Sequence, residues 1–317
     1  MTLATYYIAD YLADQEGENG AANRRYGAMR HESVVDVAVD CRSLLGEGVT
    51  WDAESSTVLW LDIEGRLFHR LGADGRHYST RLERIVSVVV PRRAGGFVAV
   101  AGCEVVAMDE RGVFGEVIAT LPADGDGRAN DGRCDPQGRL WVGTVDRSGD
   151  NRAGLFCVDE AGHVVEMLSG RALSNGIDWS PDGRRCYHAD SLLRRIEVLM
   201  LDDEGLPTDT REFARFSAMP DGLSVDEEGG VWVALWDGGQ VQRFTPDGRL
   251  DRSLSVPGGW ITSCAFGGPD LRTLYITTAS VDLSPEVLSR QPHAGSLFAI
   301  GLDVAGRGYT AFGPASS

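Results

Sequence analysis

The sequence has no long apolar run. Nowhere do roughly eighteen apolar residues follow one another, which excludes a membrane-spanning helix. Basic residues are scarce: 30 Lys and Arg stand against 47 Asp and Glu, for a net charge of −17. With no basic stripe, that field excludes nucleic acid and anionic membrane as partners. The six cysteines (Cys41, Cys103, Cys134, Cys157, Cys186, Cys264) show no CxxC or finger spacing. They read as reduced thiols in a cytoplasmic protein. The opening stretch, MTLATYYIADYLADQEGENG, lacks the basic-then-apolar order of a secretory signal. G-x-S-x-G, Walker and HExxH motifs are all missing, which disfavours serine hydrolases, P-loop enzymes and zincins. No cysteine has an evident histidine partner.

What is present is a repeat. The 40 glycines are scattered in turn-like contexts, the pattern of many short strands joined by tight turns. An apolar stretch, a D-x-x-G-like turn and a β-rich run recur as TWDAESSTVLWLD, VVPRRAGGFVAVA, RCDPQGRLWVGTV, IDWSPDGRRCYHAD, SVDEEGGVWVALW and AFGGPDLRTLYITTA. Aligned at the turn entrance, Asp52, Pro91, Asp135, Ser180, Asp226 and Gly267 correspond, at steps of 39, 44, 45, 46 and 41 residues. That period is a propeller blade: each small sheet cannot bury both faces alone, so the units stack around an axis. The expected fold is all-β, a six-bladed propeller of four-stranded blades over residues 33–317. The last repeat has a weak fourth strand, so Val34–Val39 (VVDVAV) is expected to complete it and close the ring. Residues 1–32 are set apart as an N-terminal extension, either a strap or partly disordered.

In a propeller the first strand of each blade lines the central channel. Five residues before each turn entrance stand Glu47, Val86, Asn130, Asn175, Asp221 and Thr262. Four of these are carboxylates or carboxamides, each followed within two residues by glycine. Taken singly, Asn-Gly and Asp-Gly are ordinary turn formers. In register across separate blades, they place hard oxygen donors on one axis, suited to Ca²⁺, Mg²⁺, Mn²⁺ or Zn²⁺. His188 and Asp190 of YHADS read as buried structural groups, Asp131 as a shaper of its turn or else an orienter of Arg128, and His293 of RQPHAG as a lid candidate.

The stretches LLGEGVTWD, RANDGRCDPQGRLWVGT, LSNGIDWSPDGRRCYHADS, MPDGLSVDEEGGVWVA, TSCAFGGPDLRTLYITTA and LSRQPHAGSLFAI resemble the senescence marker protein/gluconolactonase/regucalcin-like family. The likeness runs from about Ser43 to Phe312. It implies a six-bladed propeller holding one divalent metal through Glu47, Asn175 and Asp221, with Arg128 and Asn130 meeting substrate hydroxyls. It also implies hydrolysis of a small-molecule lactone of the aldonolactone type, and regucalcin-like members are calcium-binding. On this reading Asp221 doubles as the acceptor of a water proton. Two alternatives stay open: hydrolysis of a non-sugar lactone or another activated ester, and a non-catalytic metal-binding propeller.

Overall fold

The computed structural model describes residues 35–122, 127–146 and 150–314; the expected extension at residues 1–32 lies outside them, as does Val34. Six four-stranded antiparallel sheets form a β-propeller. Their inner strands are Gly46–Asp52, Val88–Pro91, Arg128–Cys134, Ser174–Trp179, Pro220–Val225 and Trp260–Gly267. Five blades take their strands consecutively from the chain. The sixth is completed by Asp36–Val39, which pairs with Leu297–Gly301 through Asp36↔Ala299 and Val37↔Phe298. First and last strands thus share one sheet, and the ring closes as expected. Among the described residues, no helix is long and apolar enough to cross a membrane.

The repeated turn has a local cause. Asp135 Oδ1 accepts the N–H groups of Gln137 (3.0 Å) and Arg139 (2.9 Å), while its Oδ2 accepts the Trp141 indole N–H (2.9 Å). Asp226 does the same with Glu228, Gly230 and Trp232, at 3.0, 2.7 and 2.8 Å. One carboxylate therefore folds the turn and docks the tryptophan that fills the space between blades. Trp60, Trp141, Trp179 and Trp232 are all fully buried there.

These turns mark one face of the ring, and the leading ends of the inner strands mark the other. On the turn face the C-terminal segment crosses the channel. Phe312 N–H donates to Pro91 O (2.8 Å) and Gly313 N–H to Gly138 O (2.9 Å). The Tyr309 hydroxyl accepts from Phe266 N–H (2.9 Å) and bonds Ser224 Oγ (2.8 Å), and the Arg133 guanidinium lies over the Tyr309 ring, 4.6 Å from its centroid. Arg133 in turn pairs with buried Asp178 at 2.9 Å. The segment closes that end of the channel, so a site among the inner strands is approached from the opposite face.

Candidate active site

At the leading ends, the inner strands are irregular. The pairing register shifts between Ala129 and Gly132, Ser174 and Ile177, Pro220 and Leu223, and Ile261 and Ser263. Asn130, Asn175, Asp221 and Thr262 lie inside these bulges. In blade one the shift falls between Glu47 and Thr50, where Gly48 takes φ +60°. A bulge re-aims a side chain that the regular pleat would send elsewhere. Blade two has no such shift in Val88–Pro91, and its corresponding residue is the buried Val86.

The glycines that follow are explained by close approach rather than by turns. A Cβ on Gly176 would stand 2.4 Å from Asp221 O, and one on Gly222 would stand 2.6 Å from Ser263 Cβ. Only glycine lets the neighbouring inner strands come this close. That approach sets Asn175 beside Asp221.

Glu47, Arg128, Asn130, Asn175 and Asp221 all line one cleft of about 600 Å³, its open mouth included. The five candidates are thus brought together from four blades. Thr262, the sixth register position, is turned away: it donates to Gly46 O (2.5 Å) and bonds Thr277 Oγ1 (2.9 Å). Asn130 Nδ2 donates to Asn175 Oδ1 and to Ser174 O, each at 3.1 Å. Asn175 Nδ2 donates to Ser191 Oγ (2.9 Å), and Ser191 donates to Pro220 O (2.6 Å). Ser191 thereby fixes which end of the Asn175 amide is its oxygen side, a positioning role that the sequence reading missed. Arg128 reaches toward Asn130 Oδ1 at 3.5 Å and donates to Ala129 O.

The electrostatics are unfavourable to two bare carboxylates. Burial first, then the charges of Glu47 and Asp131, push the Asp221 carboxyl well above the usual carboxylate range, against the Gly222 N–H. Burial and Asp131 push Glu47 up to about 8, opposed by Gly48 N–H and Arg128. Asp221 is 3% exposed, and its Oδ1 has no hydrogen-bond partner among the described residues. A buried acceptor left in this state fits a cation. Two carboxylates and an amide oxygen supply hard donors and the charge to balance a divalent ion. Among the described residues no group of three or more His, Cys, Asp or Glu could hold a metal, and this set does not require one, since its third donor is Asn175.

Asp131 differs from the expectation. It sits in the inner-strand bulge rather than a turn and lines the channel below the cleft with Arg133 and Ser263, where burial raises its carboxyl against the pull of Arg133. His188 is buried and bonds Ser174 Oγ at 2.6 Å, while Asp190 accepts Ala172 N–H and Leu173 N–H; neither lines the cleft. His293 is exposed and also lies outside the cleft lining. Among the described residues, the rest of the cleft lining is apolar: Leu45, Ile63, Leu173, Met219 and Trp236. Trp236 stacks on Trp260 with centroids 5.5 Å apart and planes 6° apart.

Residues 45–280 match the family described as SMP-30/Gluconolactonase/LRE-like region. A 6-deoxy-6-sulfogluconolactonase of Pseudomonas putida is 36% identical over 271 residues, 83% of this chain and 93% of that protein. Regucalcin of Danio rerio is 34% identical over 286 residues, covering 86% and 96%. The crystal structure of a calcium-binding regucalcin from Agrobacterium tumefaciens superposes with a TM-score of 0.83 at 31% identity, over 88% of this chain and 97% of that one.

Proposed function

The chain belongs to the SMP-30/gluconolactonase/LRE-like family, and from that premise we propose that it is a lactonase, a hydrolase that opens a small lactone ring. Support comes from the relative named as a sulfogluconolactonase and from the cleft itself. The observation that carries the reading is the buried, partnerless Oδ1 of Asp221 beside a second raised carboxyl, Glu47.

Glu47, Asn175 and Asp221 would hold one divalent cation, with Ser191 keeping the Asn175 oxygen available. Such a cation, when bound, supplies a Lewis acid for an ester carbonyl and lowers the pKa of water. Around it, Arg128 and the Oδ1 of Asn130 orient the ring. Asp221, besides being one of the residues that would hold the cation, takes the proton of the attacking water. Water adds to the carbonyl carbon, the ring C–O bond breaks, the departing ring oxygen receives the proton that Asp221 accepted, and the product is a hydroxy acid. The apolar wall keeps bulk water from the reacting ester. The relatives' names make sugar lactones the first class to test.

The test is acid release in a pH-stat from a lactone panel, with metal-loaded and chelated protein. Acid release that chelation abolishes supports the reading. One bound equivalent of metal with no acid from any lactone would replace it by the binding-only reading, which the calcium-binding relative favours.

A further inference from the structure

Blade one carries a cluster of nitrogen donors away from the cleft lining. Across its neighbouring strands Thr57–Asp62, Leu67–Gly72 and His77–Arg81, Trp60 stands opposite His69, and His69 opposite Ser79. His77, two residues before Ser79, shares a face of its strand with it. The buried Trp60 indole is the platform for both imidazoles. His69 stacks on it with centroids 4.9 Å apart and planes 12° apart, His77 at 5.3 Å and 17°. The two imidazole planes are themselves only 24° apart, and His69 Nδ1 stands 3.0 Å from His77 Nε2. Ser79 Oγ completes a triangle, 2.9 Å from the first nitrogen and 3.3 Å from the second. None of the three residues lines the cleft.

Hydrogen bonding does not account for the whole triangle. A neutral imidazole nitrogen is a donor or an acceptor, never both, so at most two of the three contacts are hydrogen bonds at once. A cation satisfies all three together. Ligands about 2.1 Å from one ion and at right angles to each other stand about 3.0 Å apart, so this triangle has the size of one face of a coordination shell. His77 and Ser79 are exposed, which leaves the remaining positions to water. Burial, then His77, holds the His69 ring down to about 4 against the pull of Asp62, and burial lowers His77. Near pH 7 both rings are therefore neutral, the form in which imidazole binds a metal. Imidazole suits copper, nickel and zinc, whereas the ligands proposed in the cleft are all oxygens.

We propose that His69 Nδ1, His77 Nε2 and Ser79 Oγ form a second cation site, for a transition-metal ion of the Cu²⁺, Ni²⁺ or Zn²⁺ class, independent of the chemistry of the cleft. An ion held there ties the outermost strand of blade one, His77–Arg81, to its neighbour Leu67–Gly72.

The test adds Cu²⁺ to the untagged full chain, already saturated with Ca²⁺, and reads electron paramagnetic resonance. Coupling of the copper to imidazole nitrogen separates this site from the oxygen ligands of the cleft. The expected spectrum shows copper coupled to two such nitrogens. His77→Gln should remove one coupling and weaken copper binding, followed by calorimetry, by about tenfold or more, since losing a ligand costs at least what losing a partner behind one does. Ser79→Ala should keep both couplings. His77 is exposed, so the variant should fold, and far-ultraviolet circular dichroism checks that it does. Wild-type copper without coupling to two nitrogens overturns the proposal. The same coupling and affinity in folded His77→Gln also overturns it, and assigns the copper to scattered histidines elsewhere.

Discussion

Replacing Asp221 by Asn should move stability in opposite directions with and without metal. The side chain is 3% exposed, its Oδ1 has no partner among the described residues, and Glu47 and Asp131 add like charge. Because its folded pKa is raised, the folded chain binds more protons than the unfolded one, and stability falls as pH rises above the ordinary carboxylate value. At pH 8 the metal-free protein therefore carries a penalty that a neutral isostere relieves, by about 1–3 kcal/mol. For a domain of this size that raises Tm by very roughly 2–10 °C. Wild-type protein in metal at one hundred times Kd gains about 2.7 kcal/mol, and the variant much less. Differential scanning calorimetry in chelator and in Ca²⁺ or Mn²⁺ reads both. The predicted result is a crossing: Asp221→Asn melts higher in chelator and lower in metal. A variant that melts lower in chelator, yet keeps the full metal-induced shift, would show that Asp221 is neither a buried liability nor a metal ligand.

Ser191→Ala frees the Asn175 amide to turn, so metal affinity measured by calorimetry should weaken about 10–100-fold with the fold intact, as when a partner behind a metal ligand is lost. Arg128→Ala should lower kcat/KM on the best lactone by about tenfold or more while the metal-induced melting shift stays at its wild-type value, since Arg128 lines the cleft and is proposed to meet substrate rather than the cation. Acid should destabilise the chain through His188, which burial, Arg171 and Arg195 hold down to about 3. A depressed histidine pKa means the unfolded chain takes the extra proton, so stability is lost as pH falls from about 6.5 toward 3, at up to about 1.4 kcal/mol per unit. Chemical denaturation at several pH values checks this, and His188→Gln should flatten the slope; an unchanged slope would exclude His188 as its source.

What could be read from the sequence was set by local geometry. Asp135 and Asp226 bond N–H groups two and four residues ahead, so the turn leaves a fixed signature at each repeat. From that entrance, counting back five residues reached Asn130, Asn175 and Asp221 because their three inner strands run nearly the same short distance to the channel mouth. Their glycines looked like turn formers, and only the packed neighbour shows why Gly176 and Gly222 cannot carry a Cβ. Ser191 was within reach, one residue beyond the YHAD that was noticed, but its role depends on Asn175 in the adjoining strand. The charge that Asp131 presents to Glu47 and Asp221, the Trp236 face and the Tyr309 closure were not legible, because each depends on residues of other blades. His293 followed the same rule in reverse: its loop sits on the site face, but the side chain does not reach the cleft.

The most direct measurement is anomalous diffraction at the manganese edge from crystals grown with Mn²⁺. One strong peak is expected at the channel mouth, within about 2.0–2.6 Å of oxygens from Glu47, Asn175 and Asp221 together. A cleft without a peak at saturating Mn²⁺, or a peak that these three side chains do not share, would mean that they form no common cation site.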